Sequence, residues 1–141
     1  MAYMSQEMKK ELAPMIKAVL NKYGVKGSIS VDHHTALVVT LKEGVLDFIG
    51  QANADNKVVA ERRGQQFYEI KNNYQANPYY AHESECKKIG SFFKELVAAM
   101  NGQGSKVANH DNSDIQSDYF DVGWYISINV GKWDKPYVLV K

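Results

Sequence analysis

A single cysteine, Cys86, among 141 residues leaves no partner for an internal disulfide. Three prolines and ten scattered glycines exclude a collagen-like or low-complexity chain. No apolar run approaches the ~20 residues of a membrane-spanning helix, so no membrane association is expected. The first residues, Met1 to Glu7, lack the basic start and apolar core of a secretory signal. Charge of one sign is also missing. Seventeen Lys and Arg stand against sixteen Asp and Glu, for a formal net charge of +1. The electrostatic footprint of a nucleic-acid polycation is therefore absent on average.

Catalytic and metal signatures are equally sparse. No Gly-x-Ser-x-Gly elbow and no glycine-rich phosphate loop occur. His33 and His34 are adjacent in a turn, where two neighbouring rings do not easily face one ion, and no His-x-x-x-His follows. Cys86 falls on an apolar stripe with Ile89 and Phe93, the setting of a small hydrophobe rather than a nucleophile. No cofactor, metal or catalytic residue is expected, and the chain reads as a non-enzyme.

What is present is one domain, residues 1–141, of ordinary composition, with 45% hydrophobic and 23% charged residues. Met8, Leu12, Met15, Ile16, Val19, Leu20 and Tyr23 recur at helical spacing, predicting a helix over Ser5–Tyr23 that Gly24 ends. Pro14 either kinks that helix or splits off its first half. Gly27–Val31 and Thr35–Leu41 alternate as strands around the turn Asp32-His33-His34, an antiparallel hairpin. Val45–Ile49 reads as a short third strand. Residues 50–66 form a polar connector, either a weak helix or a mobile loop. Phe67–Ile70 suits a strand, and residues 72–78 read as irregular chain.

Cys86, Ile89, Phe92, Phe93, Leu96, Val97 and Met100 predict a second helix over Glu83–Met100. Residues 101–118 form a second polar connector. Phe120 to Val130 alternates as a buried strand, and Tyr137–Val140 reads as an edge strand that returns after a turn. The order α-β-β-(β)-loop-α-β-β implies an α+β domain, an antiparallel sheet with two helices on one face.

Two groups of residues stand out as binding candidates. Tyr68, Tyr74, Tyr79 and Tyr80 crowd a segment without helix or strand period, the residue type favoured at interfaces. Base stacking is the competing use of such aromatics. Asp111, Asp114 and Asp118 lie in an acidic stretch with no Lys or Arg, whose spacing matches no calcium loop.

Two segments carry a family resemblance. One runs from Ala2-Tyr3-Met4-Ser5-Gln6-Glu7 through Ala13-Pro14-Met15-Ile16-Lys17 and Lys22-Tyr23-Gly24-Val25-Lys26-Gly27-Ser28 to His34-Thr35-Ala36-Leu37-Val38-Val39-Thr40 and Gly44-Val45-Leu46-Asp47-Phe48. The other is Asp118-Tyr119-Phe120-Asp121-Val122-Gly123-Trp124-Tyr125 with Ile128-Asn129-Val130-Gly131-Lys132-Trp133-Asp134-Lys135-Pro136-Tyr137. Together they resemble a large polyvalent-protein-associated domain of phages and conjugative elements, over roughly half of the chain. The resemblance implies a mobile-element protein in the host cytoplasm and brings no catalytic residue. It points to a small non-enzymatic protein that binds and blocks a host factor, of the anti-defence or host-takeover type. The alternatives are a nucleic-acid-associated accessory protein and a protein that sequesters a small ligand. A host protein is the expected partner, nucleic acid the alternative, and self-association is left open.

Overall fold

A computed structural model describes residues 3–78, 81–84, 86–103, 108–109, 123–132 and 134–140. Helix α1 (Gln6–Lys22) begins where the Ser5 hydroxyl accepts the Met8 N–H at 3.1 Å. It runs unbroken past Pro14, so the first half is not a separate turn. Pro14 and Lys10 are both exposed. The Lys10 carbonyl that loses its helical partner therefore faces water, which lowers the cost of a mid-helix proline. Leu12, Ile16 and Leu20 are buried, and Gly24 turns the chain out of the helix at φ 68°.

Strands β1 (Val25–Asp32) and β2 (Ala36–Gly44) form the expected antiparallel hairpin. In its turn the Thr35 N–H donates to the Asp32 carbonyl at 3.1 Å. His33 and His34 take φ values of 50° and 57°, the φ signs of a type I′ turn, which matches strand twist. Histidine is among the few non-glycine residues enriched there.

Beyond the hairpin, several expectations are corrected. Val45–Ile49 is not a strand: Leu46 is buried in the bend and Phe48 opens helix α2 (Phe48–Arg63). The polar stretch 50–66 is thus mostly helix, capped by Asp47, which accepts the Gly50 N–H at 2.9 Å, and by left-handed Gly64. Phe67–Ile70 forms no strand, while Tyr74–Ala76, expected to be irregular, forms β3. A single 3₁₀ turn (Ala81–Glu83) precedes helix α3 (Lys87–Met100), so α3 starts later than its periodicity suggests. Strands β4 (Tyr125–Val130) and β5 (Val138–Leu139) end the chain. The expected strand residues Phe120 and Val122 lie outside the described residues.

The fold is α+β, with three helices and five strands among the described residues, but the sheet is mixed rather than antiparallel. Its order is β1-β2-β4-β3, with β2 and β4 parallel and β3 antiparallel to β4. The long excursion through α2, β3 and α3 that separates β2 from β4 lets β4 run beside β2 in the same direction, which no hairpin can do. Nor does the chain fold back after β4. Gly131, at φ 73°, bonds its N–H to the Leu41 carbonyl, and a loop then leaves the sheet. The chain rejoins the same edge of β2 in the same direction as β5, pairing Glu43 with Val138.

One face of this sheet carries the core. Leu37, Val39, Leu41, Ile128 and Val130 are fully buried beneath Leu12 and Ile16 of α1 and Phe92 and Leu96 of α3. Phe48 reaches into the same core, with its ring 5.2 Å from Phe92 and 5.3 Å from both Phe93 and Tyr137. The Trp124 indole N–H donates to the Met100 carbonyl at 3.1 Å and fixes the end of α3 to the start of β4. Among the described residues no helix is long and apolar enough to cross a membrane.

Candidate functional site

Seven of the sixteen residues of helix α2 are apolar, yet only Phe48 and Ala60 are buried. Another stripe appears on it at helical spacing: Phe48, Gln51, Asp55, Val59 and Arg62. These residues form one wall of a cleft of about 590 Å³. Ile89 and Phe93 of α3 and Ala76 of β3 give the cleft an apolar floor, and Tyr74, Asn77 and Ser84 close it opposite α2. The volume lies within the ~300–1,000 Å³ usual for small-molecule sites.

Hydrogen bonds hold α2 in place where apolar packing is thin. The Asn53 amide donates to the Ile70 carbonyl at 2.9 Å, and its carbonyl oxygen accepts the Ile70 N–H at 2.7 Å. Asp55 ties the helix to the segment before α3. One carboxylate oxygen accepts from the Gln51 amide at 2.9 Å and the other from the Ser84 hydroxyl at 2.8 Å. Ser84 Oγ also accepts the Cys86 N–H at 3.3 Å. Ser84 thus links the Asp55 carboxylate on α2 to the backbone just before α3.

The Tyr74 ring lines the cleft, on the sheet face of its β4 partner Val130. Burial above all, then the nearby Asp55 carboxylate, pushes its phenol far above the ordinary range. It therefore stays a neutral donor at physiological pH. Among the described residues Arg62 is the only basic residue lining the cleft, and it makes no ion pair with any of them. The cleft thus offers an apolar floor, a carboxylate halfway along α2 and a guanidinium seven residues further on. At ~1.5 Å of rise per residue, the Cα atoms of the two residues stand about 10 Å apart along the helix axis.

The candidates drawn from sequence do not gather into one surface. Tyr74 points into the cleft. Tyr68 is 74% exposed in the segment after α2, its hydroxyl donating to Gln66 at 3.3 Å. Tyr79, Tyr80, Asp111, Asp114 and Asp118 lie outside the described residues. Cys86 is half-buried at the start of α3. Among the described residues no three His, Cys, Asp or Glu side chains gather to hold a metal ion.

Sequence reasoning missed Gln51, Asn53, Asp55 and Arg62. The stripe's 3-4-4-3 spacing was the available signal, obscured because its members are polar. No family model, no curated protein and no solved structure matches the chain.

Proposed function

We propose that this chain is a non-enzymatic protein that binds a small molecule in the cleft between α2, β3 and α3. One observation carries the reading: an apolar, partly aromatic floor lies under a carboxylate and a guanidinium presented by the same helix face. A few convergent polar groups over an apolar surface are the general make-up of small-ligand sites. The ligand that fits is a flat or apolar body lying against Phe93 and Ile89. It carries an anionic group toward Arg62. Sequestering such a ligand accords with the mobile-element origin that the family resemblance implies.

A second reading keeps the expected host-protein partner. Val58 and Val59 stand 42% and 40% exposed at the cleft wall. That apolar rim suits an extended segment of a partner chain. Nucleic acid gains least, since among the described residues Arg62 is the cleft's sole basic residue.

The test is to purify the wild-type protein and Ala52→Trp from cells, denature both and identify released small molecules by mass spectrometry. Ala52 lines the cleft, and an indole there fills it. A compound enriched with the wild type and absent from folded Ala52→Trp supports the reading. Equal recovery from both, or capture of a host protein that Ala52→Trp loses with no small molecule released, overturns it.

A further inference from the structure

Strand β1 is the long edge of the sheet: it spans eight residues and, among the described residues, pairs only with β2. The opposite edge, β3, has three residues. A regular unpaired edge offers its backbone N–H and C=O groups to another strand. The Asp32 carbonyl accepts from Thr35 in the hairpin turn and so points toward β2. By alternation the polar groups of Ser30 and Ser28 point inward with it, and those of Val31, Ile29 and Gly27 point outward.

This edge is complementary to itself. An antiparallel copy centred on Ile29 sets Ile29 against Ile29, Gly27 against Val31 and Ser28 against Ser30. The same register sets Lys26 against Asp32 at both ends. The outward-pointing residues 27, 29 and 31 then become the hydrogen-bonded pairs, as an antiparallel ladder requires. Lys26, Ser28, Ser30 and Asp32 share the open face of the sheet, so each opposite-charge pair lies side by side in solvent. On the other face Ile29, only half-buried against the core in one chain, meets the Ile29 of the second copy, with the half-buried Val31 diagonally beside it. Each charge has only a loose neighbour in its own chain: Lys26 lies 4.0 Å from Glu43, and Asp32 lies 3.3 Å from His33, all at exposed positions.

We propose that β1 pairs with β1 of a second copy of this chain, centred on Ile29, to make a two-fold dimer with one continuous sheet. The inference does not depend on the cleft. The experiment is sedimentation equilibrium of the full chain over a dilution series, with circular dichroism confirming each variant's fold. The wild type is expected to be a dimer at the higher concentrations. Asp32→Lys faces Lys26 with a second lysine at both ends and should weaken dimerisation ~10-fold or more, since directly opposed like charges destabilise strand pairing. Lys26→Glu should do the same from the other side and covers the case in which the turn variant fails to fold. The double variant K26E/D32K restores opposite charges and should recover the dimer. A wild type that is monomeric throughout, single variants that dimerise like the wild type, or a folded double variant that stays monomeric would each overturn the proposal.

Discussion

Asn53 holds Ile70 by both ends of its amide, donating to the Ile70 carbonyl at 2.9 Å and accepting its N–H at 2.7 Å. This double bond between the middle of α2 and the chain leading to β3 anchors a helix with little apolar packing of its own. It also sets the angle at which Gln51, Asp55 and Arg62 meet the cleft.

Replacing Asn53 by Ala leaves the Ile70 backbone without its partner. A loss of ~1–3 kcal/mol in chemical denaturation is expected, the usual cost of an orphaned backbone group. Asn53→Asp should be as harmful, because a carboxylate cannot donate to the Ile70 carbonyl. A stability equal to the wild type in both variants would mean that α2 is held by other contacts.

Phe93 joins the core to the cleft floor and is 3% exposed. Phe93→Ala is expected to cost ~3–5 kcal/mol, as for large aromatic truncations in packed cores. A loss below ~1 kcal/mol would show that the Phe48–Phe93 cluster does not pack as described.

The legible parts of this fold were those whose apolar residues keep a period. The α1 stripe, the α3 stripe and the β1–β2 hairpin announce themselves because Leu12, Ile16, Phe92, Leu96, Leu37 and Val39 all point at one core. Helix α2 was illegible for the opposite reason. Its ordered face presents Gln51, Asp55 and Arg62 to a cleft, so hydropathy shows no period. Strand β3 has only three residues, too few for an alternation to register. The parallel pairing of β2 with β4 depends on a distant crossover that no local pattern encodes. The tyrosine-rich segment did mark the site's neighbourhood through Tyr74. The Asp55 and Arg62 pair went unread because its meaning comes from α3 and β3 packing opposite.

Tyr74 and Tyr137 give the protein a defined alkaline response. Both phenols are pushed far above their ordinary value by burial, Tyr74 further by Asp55 and Tyr137 further by Asp47 and Glu43. A raised folded value means the contribution is whole below ~pH 10, where unfolded tyrosine is still protonated. It is lost as pH rises from there toward the folded values. Stability should therefore fall above ~pH 10, and Tyr74→Phe should soften that fall. Ultraviolet titration of the folded wild type should show at least two tyrosines, Tyr74 and Tyr137, ionising late. If all of them titrate in the ordinary range without unfolding, the two rings are more exposed than described.

Glu95 gives the matching acid response. It accepts from Lys22 at 2.6 Å and from the Tyr23 hydroxyl, which link α3 to the end of α1. The Lys22 bond first and the Tyr23 bond second hold its carboxyl below the usual range. A lowered folded value adds stability above the carboxyl's unfolded value and loses it as pH falls through the folded one. Glu95→Gln should flatten the acid limb of a stability–pH curve and leave its alkaline limb unchanged. An identical acid limb in both proteins would show that the link carries no net charge interaction.

The cleft itself is tested most directly by amide chemical shifts. The wild type and Ala52→Trp would be titrated with a small-molecule panel spanning planar, anionic and donor-bearing compounds, and amide shifts followed by two-dimensional nuclear magnetic resonance. At least one compound is expected to move the signals of Gln51, Asp55, Ala76 and Ile89 in the wild type, leave Ser28 and Ser30 of β1 in place, and lose its effect in folded Ala52→Trp. A panel that moves none of the cleft signals, or moves them equally in the filled variant, would contradict a ligand site between α2, β3 and α3.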